Sequence, residues 1–307
     1  MKRISKHLVE PAGKEPKIRS VVVTGVSSGI GYAIARQLVA QGVRVFGSVR
    51  NQNDAQRLIN ELGPLFVPLT FDITDQIAVR NAAQMVREQL QGEMLWGLIN
   101  NAGIAVVGPL IETPIEEFRR QFEVNVIGQI QVTQAFVSLL GADESLKGKP
   151  GKIINIGSIS GKICRPFFGP YSISKYGLEA FSDTLRIELM IYGIDVVLIG
   201  PGMINTAIWH KSEDLVSDDK LRKSIYAKPL LKFKSYIYHK IAQSALPAKK
   251  VGELVYQILP NPHPQTRYVL VPNLFSDWIL PRLLPKRFLN KKIAKALGLF
   301  KEGSPDS

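Results

Sequence analysis

Cysteine is nearly missing from this chain: Cys164 is the single thiol among 307 residues. No intramolecular disulfide can form, and the cysteine and four histidines show no zinc-ligand spacing, so no metal is expected. A reducing compartment follows as the expectation, with the cytoplasm as the expected location. Long apolar runs are missing too. None approaches the roughly 18 residues that a membrane-spanning helix needs. The first residues, 1–17, form a basic tail with Lys2, Arg3, Lys6, Lys14 and Lys17 and without the apolar region of a signal peptide. No repeat of fixed period appears, which excludes a solenoid or propeller. A 45% share of hydrophobic residues, with 25 Gly and 19 Pro, excludes disorder and collagen-like sequence. Positive charge, by contrast, is in excess. The 39 Lys and Arg against 26 Asp and Glu leave a net charge of +13, which favours anionic partners such as nucleotide phosphates or acidic lipid. The basic residues are scattered and no nucleic-acid motif accompanies them, so no nucleic-acid partner is expected.

From Ser20 onward, short β-branched runs alternate with segments of helical period, the pattern of a parallel sheet with crossover helices. Strands are expected at 20–24, 43–49, 65–71, 96–100, 152–157, 195–200 and 268–271. Helices are expected to open near Gly29, Asn53, Asp75, Pro114, Pro170 and Lys249. This predicts an α/β fold with a single doubly wound, seven-stranded parallel sheet over residues 18–272. The stretch 205–247 interrupts the rhythm with Trp209, Tyr226, Phe233, Tyr236 and Tyr238 among lysines. Following a strand's carboxyl end, it belongs over a ligand crevice as a lid. The remainder, 273–307, reads as a basic amphipathic helical extension. From Trp278 to Lys301 it has seven basic residues and no acidic one, with Leu289, Ile293, Ala296 and Phe300 at helical spacing. Such a helix either lies on an anionic membrane surface or packs on its own domain.

The first strand, Val21-Val22-Val23, runs into Thr24-Gly25-Val26-Ser27-Ser28-Gly29-Ile30-Gly31 and then a helical pattern. Strand, glycine turn and helix together suit a pyrophosphate, because glycines permit close backbone approach and a helix start favours negative charge. Further on, Tyr171 and Lys175 lie on one face of a helix. A phenol with a pKa near 10 is only about 0.1% ionised at neutral pH, and a neighbouring ammonium favours the phenolate. Lowering that pKa by about three units needs roughly 4 kcal/mol of differential interaction. Taken singly, each of these residues has an ordinary structural explanation. The ordered set does not.

That set resembles the short-chain dehydrogenase/reductase family. Thr24-Gly25-x-x-x-Gly29-x-Gly31 has the family's glycine spacing, and Asn100-Asn101-Ala102-Gly103 matches its Asn-Asn-Ala-Gly. Asn125 matches its helix asparagine, Ser158 its serine, and Tyr171-x-x-x-Lys175 its tyrosine and lysine pair. Pro201-Gly202-Met203-Ile204-Asn205-Thr206 matches its Pro-Gly-x-x-x-Thr. The resemblance implies a Rossmann fold and an NAD(P)-dependent oxidoreductase that interconverts a secondary alcohol and a ketone or aldehyde. It implies Tyr171 as general acid and base, Ser158 as hydrogen-bond donor to the substrate oxygen, Lys175 as a contact to the nicotinamide ribose, and Asn125 as part of a proton relay. Cofactor contacts are implied for Thr24, Gly25, Ser27, Ser28, Gly29, Ile30, Gly31, Asn101, Ala102, Gly103, Pro201, Gly202, Ile204 and Thr206, besides Tyr171 and Lys175.

The cofactor's identity turns on the end of the second strand, where an acid would bind the ribose hydroxyls of NAD and a base accommodates the 2′-phosphate of NADP. Here Val49 stands in the acid's place and Arg50 follows, so NADP(H) is preferred, with NAD(H) as the second option. Asp72 and Ile73 match the family residues that flank the adenine. Within the family, Leu95-Trp96-Gly97-Leu98, the run 177–183 and Thr266-Arg267-Tyr268 look like the hydroxysteroid, retinol and 3-hydroxybutyrate dehydrogenases, which points to an apolar, lipid-like substrate. Homodimers or homotetramers through helices over 118–140 and 171–192 are implied as well. Cys164 is read as a small loop residue without catalytic role. A non-catalytic nucleotide sensor on the same scaffold is the alternative, because a fold does not dictate a function.

Overall fold

Short runs of valine, isoleucine and leucine leave two apolar faces, and a parallel sheet of such runs is stable only when helices cover both. The computed structural model describes residues 18–206 and 224–300. The basic tail, residues 207–223 of the expected lid, and 301–307 lie outside the described residues. Seven strands form one parallel sheet in the order β3-β2-β1-β4-β5-β6-β9. They are β1 (Ser20–Val23), β2 (Arg44–Val49), β3 (Phe66–Thr70), β4 (Gly97–Asn100), β5 (Lys152–Ile156), β6 (Asp195–Pro201) and β9 (Arg267–Leu270). The expected seven-stranded doubly wound sheet is the one observed. Two further strands of two residues each, β7 (Ile204–Asn205) and β8 (Leu246–Pro247), pair with one another and bring the two ends of the 205–247 segment together.

The crossover helices are α1 (Gly29–Ala40), α2 (Gln52–Leu62), α3 (Gln76–Leu90), α4 (Ile115–Phe122), α5 (Gly128–Phe136), α6 (Gly169–Glu188) and α8 (Lys249–Ile258). Local chemistry starts several of them. The Asn51 side chain accepts a hydrogen bond from the Asp54 N–H at 2.8 Å and caps α2, and Asp75 accepts from Ile77 and Ala78 and caps α3. Strand alternation then sorts the core. Val21 and Val23 face Ile34 and Leu38 of α1, Leu58 of α2 and Val251 and Val255 of α8. Val22 faces the other way, toward Val79 and Val86 of α3 and Val132 and Phe136 of α5. The strand order reverses at β1, between β2 and β4, and that switch point opens a crevice at the strands' carboxyl ends.

The last strand is pegged by charge. Arg267 donates from Nε and Nη2 to the buried Glu179 carboxylate of α6, with the shortest contact 2.8 Å. Its guanidinium also lies 4.3 Å from the Trp278 ring centroid, on which Arg282 stacks at 4.5 Å. This peg sets the chain after β9, where a π-helical turn (Phe275–Ile279) and a short helix (Leu280–Leu283) lie beside the crevice.

Helix α7 (Ala227–Ser244) covers the crevice. Phe233 sets its ring edge-to-face against both Phe167 and Phe168, at centroid separations of 5.3 and 5.5 Å, and Leu230 and Ile237 complete this small core. Phe167 holds a left-handed φ of 67° within it, a conformation that a bulky side chain adopts only when packing enforces it. The C-terminal helix α9 (Lys286–Leu297) joins the same core through Ile293 and Leu297. The Leu289, Ile293, Ala296 and Phe300 stripe is therefore not a free membrane-facing surface: Ile293 is turned inward and Ala296 outward. The reason is that α7 offers apolar partners that the sequence pattern alone does not place.

Candidate active site

The turn between β1 and α1 is held by side chains from the next strand over. Asn101 Nδ2 donates to the carbonyls of Thr24 at 2.8 Å and Gly25 at 3.1 Å, while Thr24 Oγ1 accepts from the N–H groups of Asn101 and Ala102. Ser48 Oγ accepts from the Gly25 N–H at 2.8 Å. Gly25 has φ 70°, and a Cβ on Gly31 would stand 2.2 Å from the Gly25 carbonyl oxygen, so neither position admits a side chain. Ser28, the residue before α1, makes no side-chain cap, and no acid lies in the helix's first turn. An anion is thus the group that this helix start accommodates, and a backbone this close to solvent suits a pyrophosphate. Thr206 reaches the turn from β7, since a Cβ on Gly29 would lie 3.3 Å from the Thr206 Cβ. Ile30 packs on the core, and Ser27 and Ser28 line the outer rim.

At the adenosine end, Val49 is buried and Arg50 is exposed, without an ion pair or hydrogen bond to other described residues. Asp72 Oδ1 accepts from the Thr74 N–H and hydroxyl, while Ile73 is buried against Gly128. Arg57, a residue without motif signal, reaches from α2 to donate to the Ser27 carbonyl at 2.7 Å and ties the turn's outer side.

Between α4 and α5 the helix widens into a π-helical turn, Glu123–Ile127, with Asn125 fully buried at its centre. Such turns recur at functional sites because they redirect a side chain that a regular helix would hold elsewhere. Asn125 Oδ1 accepts from the Ile104 N–H at 2.8 Å and its Nδ2 donates to the Ile104 carbonyl at 3.0 Å and to Ser174 Oγ at 3.2 Å. Gln121 pairs likewise with the Val106 N–H and the Ile104 carbonyl. Ser174 donates to the Tyr171 carbonyl at 2.7 Å. Together these residues hold the irregular backbone following Gly103 against α6. Gln121 and Ser174 have no signal in the sequence, because amides and hydroxyls on a helix are uninformative until a buried backbone group faces them.

Ser158 and Tyr171 come together in one open cleft, which both residues line with Gly202 and Met203. Ser158 Oγ accepts from the Ser160 N–H at 3.1 Å and lies 3.5 Å from the Pro201 carbonyl. Burial pushes the Tyr171 phenol above its usual pKa, and a hydrogen bond with Ser158 opposes part of that rise. Lys175, almost entirely buried, donates to the Ile156 carbonyl at 2.8 Å, and its Nζ lies 5.7 Å from the Tyr171 ring centroid. Burial holds its pKa down to about 8. Burial is the largest influence on both groups, raising the phenol's pKa and lowering the ammonium's. Cys164 is exposed and does not line this cleft.

Comparisons with known proteins agree with this geometry. A family model described as short chain dehydrogenase matches residues 19–216. The chain is 40% identical over 280 residues to the NADPH-dependent 3-dehydrocapnine reductase of Ornithobacterium rhinotracheale, across 91% of this chain and 98% of that protein. It is 32% identical over 289 residues to 17-beta-hydroxysteroid dehydrogenase type 6 of Bos taurus, across 87% and 89%. Among solved structures, a variant of actinorhodin polyketide ketoreductase with NADPH is 26% identical with a TM-score of 0.71, across 85% of this chain and 98% of that one.

Proposed function

The chain belongs to the short chain dehydrogenase family, and from that premise we propose that it reduces the ketone of an apolar, lipid-like substrate with NADPH, and oxidises the matching secondary alcohol in reverse. The observation that carries this reading is the meeting of Ser158 and Tyr171 in one largely apolar cleft with Lys175 buried behind them. A nicotinamide cofactor supplies the hydride. The residues that would hold it are the 24–31 turn, Arg50, Asp72 and Ile73, the 101–103 segment, Lys175, and Pro201, Gly202, Ile204 and Thr206. Ser158 orients the carbonyl oxygen and Tyr171 donates the proton to it. Its raised pKa keeps the phenol protonated at neutral pH, and the Lys175 ammonium stabilises the phenolate left after transfer. Asn125 acts through position, by holding α6 and the 104–106 backbone together. In this reading 18–272 is the catalytic domain, 205–247 its lid and 273–307 an extension.

The preference for NADPH rests on Val49 in the acid's place with Arg50 beside it, and the 40% identical relative is named NADPH-dependent. Following nicotinamide absorbance against steroid, retinoid and long-chain ketones tests both parts. Turnover is expected to be faster with NADPH than with NADH. Arg50→Asp is expected to shift that ratio toward NADH by about two orders of magnitude, or roughly 3 kcal/mol. Equal ratios in both proteins would remove Arg50 from the site.

We propose two further contacts. Ile115, Ile127, Ile173 and Tyr176 are exposed on the α4–α5 and α6 faces and suit a second copy of the chain. Leu283, 74% exposed, with Phe275 and Phe288 lies among Arg282, Lys286 and Arg287 and suits an anionic lipid surface. No helix among the described residues is long and apolar enough to cross a membrane, so this contact would be peripheral. Sedimentation is expected to return at least twice the 34.1 kDa chain mass, and pelleting with anionic but not neutral vesicles. A 34.1 kDa species, or pelleting indifferent to lipid charge, would contradict the respective contact.

A further inference from the structure

The cleft that holds Tyr171 is lined by charged side chains that alcohol and carbonyl chemistry does not use. Ile159, Phe168, Met203, Ile237 and Val271 give it apolar walls, yet Arg165, Lys240 and Asp277 line it as well. These charges are not equivalent. Lys240 Nζ lies 3.3 Å from Asp277 Oδ1, and the other oxygen of Asp277 accepts the Asn273 N–H at 3.2 Å. The carboxylate is thus committed to Lys240 and to its own turn. Arg165, half-buried, donates from Nη1 to the Tyr236 hydroxyl of α7 at 3.3 Å. A phenol orients a guanidinium without neutralising it. Among the described residues no carboxylate lies within ion-pair distance of Arg165, which leaves two cations against one anion in the cleft.

A guanidinium has five N–H donors in a fixed fork, and among the described residues Arg165 uses one of them. Its remaining edge matches the planar or tetrahedral oxygens of a carboxylate, sulfonate or phosphate ester. The apolar walls make that match stronger than it would be in water, since a charge beside low-dielectric surface is screened less. Arg165 and Tyr171 also share one loop-to-helix segment, with Phe168 between them in the wall. A ligand held by its head at Arg165 would therefore present a carbon within the same cleft to Ser158 and Tyr171.

We infer that the substrate has an anionic head group on an otherwise apolar body, and that Arg165 is the residue that selects it. The inference rests on the oxidoreductase reading of this cleft, but its test does not need turnover. Calorimetric titration of the full-length chain with octane-1-sulfonate, octanoate, octan-1-ol and inorganic sulfate separates head from tail and attached anion from free anion. The two anionic amphiphiles are expected to bind at least about tenfold more tightly than octan-1-ol, with inorganic sulfate far weaker than either. Arg165→Gln is expected to remove that preference, Arg165→Lys to restore part of it, and Arg165→Glu to turn it toward octylamine. The ratio within each protein is the readout, so a loss of folded protein in one variant does not imitate the result, and the inverted preference of Arg165→Glu gives a gain that misfolding cannot. Equal binding of octan-1-ol and octane-1-sulfonate, a preference that survives Arg165→Gln, or sulfate binding as tight as octane-1-sulfonate would each overturn the inference. So would the absence of any heat from the sulfonate. Ketone reduction that fails while the anion preference holds would instead overturn the oxidoreductase reading and leave the head-group site standing.

Discussion

Tyr171→Phe is expected to lower ketone reduction by about a thousandfold, the range general acid catalysis supplies, while NADPH affinity falls by less than about tenfold. The substitution removes one oxygen and keeps the ring, so the edge-to-face contact with Phe168 at a centroid separation of 6.0 Å persists and the small core under α7 remains filled. What is lost is the proton. Burial raises the Tyr171 pKa, so the wild-type phenol is a loaded donor throughout neutral pH. Ser158 remains as a hydrogen-bond donor, but an alcohol of far higher pKa cannot stand in as the acid. Single-turnover absorbance at saturating NADPH checks this directly. Were Tyr171 only a half-buried boundary residue, the change would stay within about threefold and follow any loss of stability.

Lys175→Met is expected to be both inactive and more stable than the wild type. The lysine's pKa falls from its usual 10.5 to about 8 on burial, so at pH 7 the folded protein holds a charged group where it is penalised. The unfolded chain binds the proton more tightly, and wild-type stability therefore rises with pH between about 8 and 10.5 as the folded group loses its charge. Below pH 8 the whole penalty is present, on the order of 3 kcal/mol. Methionine fills a similar volume without charge and forfeits the hydrogen bond to the Ile156 carbonyl, which costs about 1 kcal/mol. The net gain of roughly 2 kcal/mol corresponds to a Tm higher by about 4 °C at pH 7. That gain is expected to shrink by pH 10. Turnover, in contrast, is expected to vanish in the variant, and in the wild type reduction is expected to decline as pH passes about 8 and the ammonium that stabilises the phenolate is lost. A Lys175→Met protein less stable than wild type at pH 7 would mean that the ammonium is well solvated by polar contacts and that its burial carries no penalty. Stability given up for a charge in a buried site is a recognised pattern in enzymes.

Periodicity alone located the sheet, because strands buried on both faces read as unbroken apolar runs and the crossover helices return at their own period. The predicted helix openings at Gly29 and Lys249 coincide with those observed, and the one near Asp75 lies next to the true start, with Asp75 as its cap. The π-helical turn around Asn125 was not visible, since one extra residue in a helix leaves no mark on hydrophobic spacing. For helix α7 the sequence predicts only a lid rich in aromatics. Its order comes from Phe233 fitting between Phe167 and Phe168, a long-range fit that no local pattern encodes.

The sequence by itself determined the class of the fold, the order of the motifs and the pair Tyr171 and Lys175, because each of these is carried by residue type and local spacing. Tertiary structure decided the rest. It decided that Asn101 and Thr24 serve the glycine turn, that α9 turns Ile293 inward rather than outward, and that desolvation governs both Tyr171 and Lys175. It also decided that Arg165, an ordinary loop residue in the sequence, faces the cleft beside Tyr171 without a carboxylate partner among the described residues. The reason is common to all four. Hydrogen-bond partners, burial and uncompensated charge are properties of pairs brought together from distant positions, and a linear pattern reports only on neighbours.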